Sequence, residues 1–132
     1  MGVIYLDSCL LIYAIERDEQ FGDQVIATLD DNSEQIFAIS PLVKLECLVK
    51  PLALTNTELK NYYEAAFETL ELLSMTDEVF TEAAMLRARF NIKTPDALHL
   101  SCAQIQRCSS LWTNDARLAK ASHGLSVNIL NS

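Results

Sequence analysis

A chain of 132 residues, half of them hydrophobic and 21% charged, is long enough to bury a core without disulfide staples and too apolar for a disordered segment. A formal net charge of −8 excludes a protein that grips nucleic acid through a broad basic face, because phosphate binding of that kind rests on clustered Lys and Arg. The longest uninterrupted apolar stretch, Cys9 to Ile15, is far below the roughly 20 residues of a membrane span. The N-terminus shows neither a basic lead nor a cleavage site, so a single cytoplasmic domain over residues 1–132 with no membrane partner is expected.

In chain order, Val3-Ile4-Tyr5-Leu6 is a β-branched and aromatic run that stops at Asp7, the pattern of a buried strand leading into an apolar helix, Cys9 to Ile15. Phe21, Val25, Ile26 and Leu29 fall at helical spacing, and Asp30-Asp31-Asn32-Ser33 closes that helix as a polar loop. Ile36 to Ile39 predicts a second strand, and Ser40-Pro41 a helix N-cap with proline in the first position. Glu46 lies in the second turn of that helix.

Thr55-Asn56-Thr57-Glu58 has the form of a capping box, opening a helix whose face carries Leu59, Tyr62, Tyr63, Ala66, Phe67, Leu70 and Leu73. Thr76-Asp77-Glu78 starts another helix through Phe90, and Thr94-Pro95-Asp96 supplies cap, proline and acid for one that runs to Arg107. Ser110 to Thr113 predicts a strand, Asn114-Asp115 a turn, Ala116 to Ala121 a short helix and Ser126 to Leu130 a last strand. Alternating strands and helices predict an α/β fold with a central parallel β-sheet flanked by α-helices, whose ligands gather beyond the carboxyl ends of the strands.

Four acidic residues stand out against that pattern. Asp7 and Asp115 follow strands directly, Glu46 lies one turn beyond another, and Asp96 opens a helix. Taken singly, Asp7 and Asp115 also read as helix caps, and Asp96 as a charge that offsets a helix dipole. Glu46 sits among Leu42, Val43, Leu45, Leu48 and Val49, which predicts a largely buried carboxylate that a cation would neutralise. Carboxylates that converge repel unless a cation intervenes, and an all-oxygen set suits Mg²⁺ or Mn²⁺.

Ser8, Thr113 and Asn114 flank the acids and can orient ligands, although caps and turns favour the same residue types. His99, three residues after Asp96, reads first as a packed or hydrogen-bonded helical residue and only second as a ligand. Arg17, Lys44, Lys93, Arg117 and Lys120 lie near the acidic segments and offer rim contacts to phosphate, solvated side chains being the plainer reading. Cys9, Cys47, Cys102 and Cys108 form no C-x-x-C pair and read as small buried hydrophobes.

Ile4-Tyr5-Leu6-Asp7-Ser8, Ile39-Ser40-Pro41 with Glu46, Thr94-Pro95-Asp96-Ala97-Leu98-His99 and Trp112-Thr113-Asn114-Asp115 with Arg117-Leu118-Ala119 together resemble the PIN-domain ribonucleases, in particular the small VapC-like toxins of toxin–antitoxin pairs. The resemblance runs from Ile4 to about Ile129. It implies a PIN-like fold and an acidic metal pocket of Asp7, Glu46, Asp96 and Asp115, supported by Thr113 and Asn114. It also implies a homodimer and an antitoxin partner that occludes the site. Cys9 departs from the polar or small residue of many relatives, which puts any water-positioning role there in doubt.

The expected activity is hydrolysis of RNA phosphodiester bonds with Mg²⁺ or Mn²⁺. Two other readings stand beside the toxin: a stand-alone PIN nuclease in RNA processing, and a catalytically inactive PIN-like interaction module. A phospho-accepting receiver domain would need an acidic pair at the first strand, which Asp7-Ser8 lacks.

Overall fold

The computed structural model describes residues 2–130, apart from the side chain of Ala116; Met1, Asn131 and Ser132, at the ends of the expected 1–132 domain, lie outside the described residues. Five strands, β1 (Val3–Leu6), β2 (Ile36–Ile39), β3 (Glu71–Leu72), β4 (Ser110–Thr113) and β5 (Ser126–Asn128), form one sheet in the order β3-β2-β1-β4-β5. Every neighbouring pair is parallel. The helices α1 (Ser8–Ile15), α2 (Gly22–Asp31), α3 (Pro41–Ala53), α4 (Thr57–Glu68), α5 (Asp77–Phe90), α6 (Thr94–Ile105) and α7 (Ala119–Ser122) flank it, with a 3₁₀ turn at Ala116–Leu118.

β1 is the centre of the sheet, and its apolar run follows from that position, since a parallel strand is covered on both faces. Ile4, Tyr5 and Leu6 are all buried, and Tyr5 pairs with Ala38 on one side and Leu111 on the other. The chain moves from β1 to β2 in one direction and places β4 on the opposite flank, so the order of strands reverses between β1 and β4. In open α/β sheets that reversal opens a crevice at the carboxyl ends of the strands. Asp7 and Thr113 stand at that edge.

Local chemistry explains most helix starts. Ser40 caps α3 by accepting the Val43 N–H at 3.4 Å, and Thr76 caps α5 by accepting from Val79. Gly22 lets α2 start against the end of α1, because a Cβ there would meet the Tyr13 carbonyl oxygen and the Arg17 carbonyl carbon at 2.9 Å. Glu16, just beyond α1, bonds Lys50 of α3 and the Tyr63 hydroxyl of α4, tying three helices together. Burial pushes the Glu16 carboxyl up, but these two donors outweigh it and hold it below its ordinary value.

Several expectations change. The cap of α4 is Asn56, which accepts from Leu59, while Thr55 takes a left-handed conformation with φ 52° instead of opening a capping box. The stripe on α4 splits: Tyr63 and Phe67 are buried, whereas Tyr62 is 60% exposed, because adjacent residues lie about 100° apart around a helix. Leu70 and Leu73 fall beyond the helix, where the two-residue edge strand β3 pairs with β2. Lys93 rather than Thr94 precedes α6 as its cap, without a side-chain bond. That helix ends at Ile105, and Arg107 turns left-handed with φ 59°. The last strand stops at Asn128. All four cysteines are free; Cys47, Cys102 and Cys108 are buried as expected, and Cys9 is half-buried. Among the described residues no helix is long and apolar enough to cross a membrane.

Candidate active site

Asp7 ends β1 and occupies the N-cap position of α1, yet its carboxylate makes no cap bond. The side chain faces the crevice instead. Thr113, at the end of β4, donates from Oγ1 to Asp7 Oδ2 at 2.7 Å and accepts the Asp115 backbone N–H at 3.1 Å. One buried hydroxyl therefore sets both the first acid and the turn that carries the last. Ser8 Oγ lies 2.9 Å from Glu46 Oε1 and 3.5 Å from Asp7 Oδ1, joining α1 to α3.

Thr113→Val keeps the shape and removes both bonds. Leaving the Asp115 N–H and an Asp7 oxygen short of partners is expected to lower stability by about 1–2 kcal/mol in urea denaturation. It should also weaken divalent-cation binding by roughly 10- to 100-fold in calorimetry.

Asp115 does act as a cap, accepting the Arg117 backbone N–H at 2.9 Å. The Arg117 guanidinium also grips it, with Nε 3.0 Å from Oδ1 and Nη2 2.8 Å from Oδ2, and these hydrogen bonds hold its carboxyl below the usual range. Arg117 Nη2 reaches to 3.9 Å from Asp96 Oδ2. Asp96 differs from Asp115 in sign: burial, then the charges of Asp115 and Asp7, push its carboxyl up. The four acids thus occupy one edge as two linked groups, Asp7 with Glu46 through Ser8, and Asp96 with Asp115 through Arg117.

Of the five cations near the acidic segments, Arg117 reaches these carboxylates directly, and Lys93 acts on Asp115 through its charge. Lys44 instead lies over the Phe67 ring, 5.7 Å from its centroid. Asn114 is held from α1: Cys9 Sγ donates to its Oδ1 at 3.2 Å, and its Nδ2 donates to the Tyr13 hydroxyl at 2.8 Å. The thiol at Cys9 thereby makes a polar contact to the turn that carries Asp115. Burial and the Asp7 charge push that thiol up to about 12, so it stays protonated and able to donate.

His99 is 2% exposed, and its Nε2 lies 2.6 Å from Glu46 Oε1 and 3.7 Å from Asp7 Oδ1. The packed, hydrogen-bonded reading of this residue holds, but its partners were not visible in sequence. Spacing from Asp96 by one helical turn was the available signal. Burial pushes the Glu46 carboxyl up, and hydrogen bonds from His99 and Ser8 bring it below its ordinary value. Asp7, Glu46 and His99 each place one potential donor atom within 4.8 Å of the other two. Asp96 and Asp115 are not part of that group, although the Asp7 charge reaches Asp96; a set in which carboxylate oxygens outnumber nitrogen fits a hard divalent cation.

The PIN domain family model matches residues 4–124, and the chain belongs to that family. The fold is likewise that of several solved complexes. It is similar to a chain of VapBC2 from Rickettsia felis, bound to a DNA fragment from their promoter, with a TM-score of 0.82 and 18% identity over 96% of this chain and 98% of that one. A toxin-antitoxin complex from Klebsiella pneumoniae aligns with a TM-score of 0.77 and 20% identity over 98% and 99%. FitAcB from Neisseria gonorrhoeae gives 0.76 and 19% over 96% and 97%. A comparison with curated proteins returned no match.

Proposed function

We propose that the protein is a divalent-metal-dependent endoribonuclease, acting in the cytoplasm as the toxin of a toxin–antitoxin pair. The observation that carries this reading is the crowding of Asp7 and Glu46, with Asp96 and Asp115 linked through Arg117 and Asp96 within reach of the Asp7 charge, in a PIN fold. Nuclease activity is a general property of PIN domains, and the toxin reading is supported by the complexes that share this fold.

Asp7, Asp96 and Asp115 would hold Mg²⁺ or Mn²⁺, with Glu46 beside them. The bound cation supplies Lewis acidity, which makes water a usable nucleophile and offsets charge on the phosphate and the leaving oxygen. Thr113 fixes Asp7 against rotation. Glu46, kept ionised by its donors, would bind the cation through water or accept a proton from the attacking water. Arg117, 65% exposed at the rim, would have to exchange its bonds to Asp115 to contact a substrate phosphate. A 5′-phosphate and a 3′-hydroxyl are the expected products. The exposed apolar stripe Leu45, Val49 and Leu52 on α3 supports a protein partner, an antitoxin or a second copy.

The test is cleavage of mixed RNA by purified protein with Mg²⁺ or Mn²⁺, with EDTA, and with an Asp7→Asn control. Cutting that needs the ion and vanishes in the control is expected. Cutting that survives EDTA would overturn the metal dependence, and none under any condition together with no cation binding in calorimetry would replace the nuclease by an interaction module.

A further inference from the structure

Glu46 is held by one oxygen at the solvent border of α3. It lies between the buried Val43 and Cys47 and the exposed Leu45 and Val49 at 59% and 58%. A glutamate there would sample several rotamers. Yet hydrogen bonds from Ser8 and His99 both converge on its Oε1, and among the described residues none reaches Oε2. The carboxylate is anchored by one oxygen and presents the other.

His99 is itself braced from behind. Its Nδ1 lies 2.7 Å from the Tyr5 hydroxyl, and that hydroxyl lies 2.7 Å from Ser40 Oγ. Tyr5 and Ser40 are completely buried. Ser40 is the N-cap of α3, the helix that carries Glu46. The hydrogen bonds therefore close a circuit that leaves α3 at its cap, crosses β1 at Tyr5, passes through α6 at His99 and returns to α3 at Glu46.

Proton accounting gives the circuit a direction. An ionised carboxylate only accepts, so the bond to Glu46 requires a hydrogen on Nε2. In the neutral ring Nδ1 then accepts from the Tyr5 hydroxyl, whose oxygen accepts from Ser40. A nitrogen that carries a hydrogen has no lone pair left for a metal.

We infer that His99 is a positioning residue: braced by Tyr5 and Ser40, it fixes Glu46 through Nε2–H so that Oε2 faces the acidic pocket, and it is not a ligand of the cation. The role of the pocket rests on the nuclease reading above; the circuit does not.

Long-range ¹H–¹⁵N spectra of the metal-free protein should show a protonated Nε2 at His99 that persists when Mg²⁺ is added. Loss of that proton on adding the ion would make the ring a ligand and overturn the inference. His99→Gln, whose amide nitrogen reaches the position of Nε2, should keep Mg²⁺ affinity within about 3-fold, and His99→Leu should weaken it by about 10-fold or more. Equal loss in both variants, or none in either, would overturn positioning through a donor. Should His99→Leu fail to fold, Tyr5→Phe serves in its place: it removes the brace, and an altered Nε2–H signal is expected where an unchanged one would break the circuit. In RNA cleavage the Leu variant should lose kcat with KM little changed, and Gln should restore it. A parent that binds no cation and cuts no RNA would end the nuclease reading, while the metal-free spectra would still decide the circuit.

Discussion

Asp96→Asn is expected to reduce metal-dependent RNA cleavage at least about 100-fold, the scale of losing one charge aimed at a reacting centre, without unfolding the protein. The stability change has a definite sign. Burial and the charges of Asp115 and Asp7 raise the Asp96 carboxyl above the ordinary aspartate value of 3.8. The folded state therefore holds this proton more tightly than the unfolded chain. Ionisation costs nothing below 3.8, and the penalty grows as pH rises through the raised folded value. At neutral pH asparagine removes that penalty, so the metal-free variant should melt higher than the parent, by about 2 °C or more.

Saturating Mg²⁺ should reverse the order. A cation bound only by the folded state stabilises by about 2.7 kcal/mol at 100 times its Kd, and the parent would gain this where the variant would not. Thermal melts with and without the ion read both effects. An Asp96→Asn protein that melts lower without metal, or cleaves as well as the parent, would remove Asp96 from the proposed ligand set.

Leu111→Ala should have the largest effect on folding. Leu111 is fully buried in β4, paired with Tyr5 of the central strand and with Ser126 of β5. Truncation leaves a cavity between layers that cannot collapse without shifting the sheet, and costs roughly 3–4 kcal/mol. The melting temperature should fall by on the order of 10 °C. Thr113 lies two residues further along the same strand and bonds Asp7, so cation affinity should fall with it. A loss under about 1 kcal/mol in urea denaturation would mean that the core around β4 repacks freely.

β1 and β2 were legible as short apolar, β-branched runs, and β4 and β5 as short segments with an apolar centre following turn residues. The exception, β3, consists of two exposed residues, Glu71 and Leu72, and no periodicity can be read from two positions. Caps were legible at Ser40 and Thr76, but not at Thr94, which is the first residue inside α6. At Thr55 the neighbouring Asn56 won, since a left-handed Thr55 delivers Asn56 to the helix start. Strand ends also marked Asp7 and Asp115, because a parallel sheet collects chemistry at its carboxyl edge.

What the sequence by itself determined was the parallel α/β layout and the positions of four acids along it, since strand and helix periods and turn chemistry act over a few residues. Only the tertiary structure decided that Tyr5 meets His99 across 94 positions and Asp7 meets Thr113 across 106. It likewise chose Arg117, of five candidate cations, to sit on Asp115. Such partners are set by how the crossovers pack α3 beside β2, α6 beside β4 and the two helices against each other. A buried hydroxyl or imidazole then bonds whatever group that packing delivers, because leaving it unpaired costs more than any local preference.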